Sequence, residues 1–177
     1  SDNGAASAGG RDPDFFNSAG NLRGRKGNLF EGGIRAPFLA FWQGRIAPGS
    51  ESDHISAFQD VMPTLAEIAG TETAVNIGGI SFLPALLGKP QEKEHDYLYW
   101  EHTGSAFTQA IRKDNWKAVS MSYKPDTISR LMLFDLEKDP FETADISVEF
   151  PEVVMEMKGL MKNATTECAY YALYPQY

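Results

Sequence analysis

Four short runs of aromatic and β-branched residues follow one another in the second half of the chain: Tyr97–Glu101, Phe107–Arg112, Trp116–Met121 and Leu131–Leu136. Regular spacing of this kind, with turn residues between the runs, predicts an antiparallel sheet. Asp114-Asn115 supplies a turn between the second and third runs. After Pro151 the period changes. Val153, Val154, Met157, Leu160 and Met161 fall at i, i+1, i+4, i+7 and i+8, which is one face of a helix. Such a helix can cover one face of a four-stranded sheet and bury both apolar stripes.

The first half is less periodic. Gly4 to Gly33 is loop-like, with seven glycines from Gly9 onward and few apolar residues outside Phe15-Phe16. A stretch of this length without regular structure is uncommon in a compact domain, and is usually functional or disordered. Ile34 to Trp42 is a short apolar run interrupted by Pro37, which suits an edge or irregular strand. Between Ser56 and Ala69, Val61, Leu65, Ile68 and Ala69 mark one helical face. Asp60 is placed to cap that helix, Pro63 sits in its first turn and Gly70 stops it. Residues 71–95 read as a connector holding a short apolar piece, Phe82 to Leu87. The change of texture puts a boundary near residue 92, dividing the chain into 1–92 and 93–177. Ser1-Asp2-Asn3-Gly4 is a polar turn of the kind that follows a buried strand, so the sequence reads as a fragment.

Composition narrows the function classes. The 177 residues suit one domain, or one and part of another. Sixteen basic against twenty-four acidic residues leave a formal charge of −8, which argues against a dedicated binder of nucleic-acid phosphates. No apolar run is long enough to span a bilayer. Cys168 is the single cysteine, which excludes a disulfide framework within the chain and a Cys-rich zinc site. Cys168 has no flanking basic residue and reads as structural.

Three segments could carry chemistry. Asp2 and Asn3 offer a carboxylate and an amide oxygen side by side, hard ligands of the type Ca²⁺ prefers. The plain alternative is an Asx turn, and two residues supply too few of the six to eight oxygens Ca²⁺ takes. Leu22-Arg23-Gly24-Arg25-Lys26-Gly27 sets three cations among glycines, suited to approaching a sulfate or phosphate, or simply to a solvated basic loop. It is not a Walker A loop, and no Gly-x-Ser-x-Gly elbow occurs either. Glu31 and Arg35, four apart, could form an ion pair that fixes a turn. Of the three histidines, His54 and His95 lie in polar connectors with no visible partner, whereas Glu101-His102 ends a strand where side chains can face a cleft. Asn163-Ala164-Thr165 matches a glycosylation acceptor, a short motif that often occurs by chance.

In sequence order, these pieces resemble the carboxy-terminal part of a sulfatase of the arylsulfatase type. The resemblance runs through Ser1-Asp2-Asn3-Gly4, Arg23-Gly24-Arg25-Lys26-Gly27 and Phe30-Glu31-Gly32-Gly33-Ile34-Arg35-Ala36-Pro37. It continues through Trp42 to Gly49, Asp60-Val61-Met62-Pro63-Thr64-Leu65, Asp114-Asn115-Trp116-Lys117 and Leu133 to Pro140. It implies an α/β fold: the tail of an alkaline-phosphatase-like domain over 1–92, then a small four-stranded antiparallel sheet packed on a C-terminal helix over 93–177. It also implies that Asp2 and Asn3 bind a catalytic Ca²⁺ and that Lys26 contacts the substrate sulfate. The family's nucleophile is a hydrated formylglycine made within a Cys/Ser-x-Pro/Ala-x-Arg motif, which occurs nowhere in these 177 residues. The expected picture is therefore an inactive fragment that completes its site with the amino-terminal half of the same protein, periplasmic or secreted. Glu101, His102 and the loop Thr103 to Ala106 would line the pocket mouth and favour a sulfated carbohydrate. The competing readings are a phosphate or phosphonate ester hydrolase of the same superfamily, and a glycan- or partner-binding module without catalysis.

Overall fold

A computed structural model of the chain describes residues 1–73, 77–103, 107–122 and 130–165. It divides the chain into two compact units, one of residues 1–36 together with the described residues from Tyr97 on, the other Pro37–Asp96. Among the described residues no helix is long and apolar enough to cross a membrane.

The first unit is built on the expected sheet. β1 (Leu98–Thr103), β2 (Phe107–Lys113), β3 (Trp116–Ser122) and β4 (Leu131–Asp135) pair antiparallel in sequence order. The register sets Trp100 opposite Ala110, Ala110 opposite Val119 and Val119 opposite Met132. Alternation then sorts the strands into two faces. Ile111, Ala118, Leu131 and Leu133 pack against Met157 and Met161 of the terminal helix, Pro151–Ala164, so this helix covers one face as the periodicity predicts.

The other face is closed by something the periodicity did not indicate. Leu29 and Phe30 pack onto Ala110, Val119, Phe134 and Leu136, with Ile34 and Trp100 at the margin. Phe30 meets Phe134 edge to face, with ring centroids 6.2 Å apart. Leu29 and Phe30 lead into α1, the four-residue turn Glu31–Ile34. The glycine-rich first segment is thus the second cover of the sheet, and residues 1–36 belong with it rather than with 37–96.

After β4 the chain is held by carboxylates that accept backbone amides. Asp135 Oδ1 accepts from Glu137, Asp139 Oδ2 from Ala144, and Asp145 Oδ1 from both Leu133 and Ser147. All three carboxyls lie below the usual range. Lys138 is the main cause for Asp135. At Asp139 and Asp145, burial pushes upward and the accepted hydrogen bonds together outweigh it.

The second unit contains α2 (Val61–Ala69) and α3 (Leu83–Leu86). Gly70 ends α2 in the left-handed conformation, as expected of a stop residue. Two expectations fail here. Asp60 does not cap α2 with its side chain. Its Oδ2 instead accepts from Ala57 N–H at 2.7 Å, and its Oδ1 accepts from Ile80 N–H at 2.8 Å. The side chain buried from α2 is Thr64, which donates to Asp60 O and accepts from Phe82 N–H, while Leu65, Ile68 and Ala69 stay exposed. The run Ile34 to Trp42 forms no strand: no sheet partner stands beside it among the described residues, and Leu39 and Phe41 are 94% and 89% exposed. Cys168 lies outside the described residues.

Two measurements check this architecture. Met157→Ala should lower stability by about 2–5 kcal/mol in denaturant unfolding, as for other buried large-to-small changes. Met155→Ala, on the exposed side of the same helix, should stay within about 0.5 kcal/mol. Because the three aspartates titrate below their ordinary value, their stabilisation is full above that value and fades as pH falls through the depressed one. Asp145→Asn should therefore lower stability at neutral pH and flatten the fall of the melting temperature on the acid side of about pH 4.

Candidate functional site

The candidate metal and sulfate residues meet through backbone. Gly4 N–H donates to Gly33 O at 2.9 Å, and Lys26 N–H donates to Ala5 O at 2.9 Å. Residues 2–5 are therefore threaded between the lysine loop and the end of α1. The approach is close: a Cβ on Gly4 would lie 1.9 Å from Gly32 O, and one on Gly33 would lie 2.0 Å from Asn28 O. Only residues without a side chain let these segments touch.

At the head of this segment, Asn3 Nδ2 donates to Asp2 Oδ2 at 2.6 Å, and Ser1 Oγ donates to Asn3 O. The Asp2 carboxylate is exposed. Asp2 and Asn3 offer oxygens of the kind a hard cation takes, but two side chains fall short of its coordination number. Among the described residues no cluster of three or more His, Cys, Asp or Glu could complete such a sphere.

Lys26 is exposed and neighbours a different kind of cation. Arg25 is committed to Asp14, with Nη2 3.2 and 3.3 Å from the two carboxylate oxygens, and to Ser7 Oγ. Arg23 stacks its guanidinium 3.9 Å above the Phe30 ring and donates to Glu142 O.

Beneath the loop lies a buried charge cluster that the sequence reading did not assemble. Lys117 on β3 is fully buried, and its Nζ donates to Glu31 Oε1 at 2.7 Å. The same ammonium is 2.8 Å from Glu142 Oε1, an electrostatic contact without the direction of a hydrogen bond. Glu142 Oε2 accepts from Glu31 N–H at 2.7 Å, and Arg35 Nη1 lies 3.8 Å from Glu31 Oε2. The expected Glu31–Arg35 pair is thus the outer edge of a larger group. Burial pushes the Glu142 carboxyl up, against the pull of Lys117. Glu142 also holds its backbone at φ 55°, in the left-handed region. A lone lysine inside the apolar run Trp116 to Met121 was the available signal.

The other candidates separate. Glu101 and His102 are neighbours on β1, so the pleat sends them to opposite faces. Glu101 Oε2 accepts from Tyr99 OH at 2.7 Å, and that hydroxyl also receives Gln109 Nε2 and lies 3.1 Å from Thr165 Oγ1. Burial raises the Tyr99 hydroxyl, with Thr165 pulling the other way. His102 is exposed and stands in register with Thr108. Of the loop beyond, residues 104–106 lie outside the described residues. His95, expected to lack a partner, sets Nε2 2.8 Å from buried Asp60 Oδ1, where it ties the connector to residues 57 and 80. Asn163 falls inside the terminal helix, and Thr165 Oγ1 donates to Met161 O, as a helix-end side chain does.

The family model of the carboxy-terminal part of N-sulphoglucosamine sulphohydrolase matches residues 25–167. Steryl-sulfatase of Rattus norvegicus is 41% identical over 109 residues, covering 57% of this chain and 18% of that protein. Arylsulfatase A of Bos taurus is 32% identical over 166 residues, covering 81% of this chain and 32% of that protein. A solved structure in complex with its substrate D-glucosamine-2-N,6-O-disulfate aligns over 67% of this chain and 25% of its own, at 24% identity and a TM-score of 0.56. The chain spans about a third or less of the curated relatives it matches.

The contacts at Gly4 and Gly33 are directly testable. Gly33→Ala should destabilise the first unit by about 1–3 kcal/mol, the usual range for forcing atoms into a filled space. The exchange of the Lys26 and Gly4 amides with solvent should quicken with it. An unchanged melting curve would mean that the turn has room the geometry does not show.

Proposed function

We propose that this chain, which belongs to the sulfatase family as a carboxy-terminal sulfatase part, supplies a sulfate-binding lysine and two metal-ligating residues to a sulfuric ester hydrolase. The observation that carries the reading is the pair of backbone bonds that bring residues 2–5 alongside Lys26. The Asp2 carboxylate and the Lys26 ammonium are both exposed on the two segments these bonds join, and the adjacent Arg25 is already committed to Asp14.

In this reading Asp2 and Asn3 hold part of the coordination sphere of Ca²⁺, which when bound neutralises the oxygens of the ester's sulfate. Lys26 places its ammonium against the non-bridging oxygens and holds their charge in both the bound ester and the transition state. The loop glycines leave the lysine unobstructed, and its exposure leaves it unpaired with any carboxylate named above. The nucleophile, a hydrated formylglycine in the family's chemistry, requires a motif absent from this sequence. The chain by itself is therefore inactive. In sequence, residues 1–92 would continue the catalytic domain and residues 93–177 would form the small carboxy-terminal subdomain, with residues 1–36 packed on its sheet.

A sulfated carbohydrate is the substrate class. Its support is the neighbouring structure that holds a sulfated glucosamine as substrate. His102, exposed where Glu101 is engaged with Tyr99, is the more available of the two to hydrogen-bond a sugar hydroxyl.

The test is kinetic, on the sulfatase that carries this chain. Lys26→Ala should lower kcat/KM on a sulfate ester by about 10²–10³-fold, the scale for losing one preorganised donor. Arg25→Ala removes only a surface ion pair and should cost less than about tenfold, the equivalent of 0–1 kcal/mol for such pairs. Matched sulfate, phosphate and phosphonate esters should be turned over in that order. Near-full activity of Lys26→Ala would sink the assignment, and preference for a phosphate or phosphonate ester would move the enzyme to the competing class.

A further inference from the structure

The buried cluster under the loop has no part in the reading above, yet every member bears on the loop's position. We infer that Glu142 and Lys117 are positioning residues for the sulfate site, acting through Glu31 to hold the turn that carries Lys26 against the sheet. The inference rests on the proposed role of Lys26 and extends it to residues that never touch substrate.

Lys117 is the second residue of β3, an internal strand, and stands in register with Arg112 on one side and Phe134 on the other. Its ammonium is fully buried, so it needs anions within reach. Neither anion belongs to the sheet. Glu31 arrives from 86 residues upstream and Glu142 from the segment after β4. Glu142 then takes the amide of Glu31 itself, 111 residues away, so a side chain fixes the first peptide of α1. From that peptide the bonding runs straight to the site: Gly32 N–H donates to Arg23 O at 2.7 Å, and Gly33 O receives Gly4 N–H. Arg23 closes the loop from outside by donating to Glu142 O. The lysine turn and residues 2–5 are thus hung from one buried carboxylate. The left-handed backbone at Glu142 fits this role, because a bulky residue is kept in that conformation only where its surroundings hold it there.

The experiment pairs hydrogen exchange with kinetics on the sulfatase that carries this chain. Glu142→Met keeps length but removes the acceptor; Glu142→Gln keeps an acceptor for Glu31 N–H. Exchange of the Glu31, Gly32 and Lys26 amides should quicken by about tenfold or more in Glu142→Met, the scale of losing a hydrogen bond to a charged group. The Ala110 and Val119 amides should be unchanged, and Glu142→Gln should restore most of the protection. On a sulfate ester, Glu142→Met should lower kcat/KM by about tenfold or more, chiefly in kcat, since a misplaced group loses transition-state contacts first. Combined with Lys26→Ala it should add almost nothing, because the group being positioned is already gone.

If Glu142→Met does not fold, Arg23→Gln probes the same loop from the exposed side, and should quicken Gly32 exchange while leaving the sheet amides alone. Exchange that rises equally in the sheet and the turn, or losses that multiply in the double variant, would overturn the positioning role. Full activity of Lys26→Ala alone would instead bring down the sulfate-site reading. The exchange pattern would then still decide whether Glu142 holds the turn.

Discussion

A buried lysine near the start of an internal strand imposes the constraint on which the first unit depends. The alternation of β3 sends Lys117 to the same face as Val119, into an interior closed on both sides, and an ammonium there requires carboxylates. The strands on either side present Arg112 and Phe134 at that level, so the carboxylates must come from outside the sheet. Glu31 and Glu142 answer that demand, one from the glycine-rich segment and one from the turns after β4. Removing one partner of such a group characteristically costs about 3–5 kcal/mol, whereas an apolar replacement of the whole group can be neutral. Position is what the group contributes: it allows one placement of α1 on the sheet, and the loop that α1 ends follows.

The two faces of the sheet are therefore covered by different physics. The terminal helix lies on its face through a periodic apolar stripe, with Met157 and Met161 on Ile111 and Leu133 and a Lys113–Glu156 ion pair at the rim. The segment Leu29–Ile34 has no such stripe. It brings two apolar residues, Leu29 and Phe30, and then a charge that must be matched. A periodic cover tolerates sliding by a turn, but a single buried ion cluster does not. That difference suits a segment whose next residues lead into a site.

The same contrast explains what could be read in advance. The four strands and the last helix were legible because their period repeats over several residues and turn chemistry brackets each run. Their ends shift by a residue or two, as at β1, which runs to Thr103 rather than stopping at Glu101. The cover over the other face was not legible, since Glu31 and Glu142 are surface-type residues whose burial depends on partners 86 and 111 residues distant. His95 and Asp60 escaped for the same reason. The apolar stripe of α2 marks a helix but not its buried side: the Thr64 hydroxyl, bonding Asp60 O and Phe82 N–H, faces inward instead. Around the candidate site, the residue types of Asp2, Asn3 and Lys26 suit chemistry, but what joins their segments is backbone, through Gly4, Ala5 and Gly33. Glycines make that approach possible without leaving a side chain to reveal it.

Lys26 and Lys117 carry the same ammonium, and their surroundings give them opposite work. Lys117 is fully buried with its two carboxylates within 2.8 Å, so its charge is spent on the fold. Lys26 keeps its charge in solvent, close to a loop whose other cations are engaged: Arg23 with Phe30 and Glu142, Arg25 with Asp14. A charge in water interacts weakly with its neighbours until an anion arrives and displaces that water. An anion reaching this surface therefore finds one lysine whose charge no named carboxylate has neutralised, on a turn that the buried lysine keeps from moving. Pairing inside and availability outside are two consequences of the same sequence, with four residues between Lys26 and Glu31, the partner of the buried lysine.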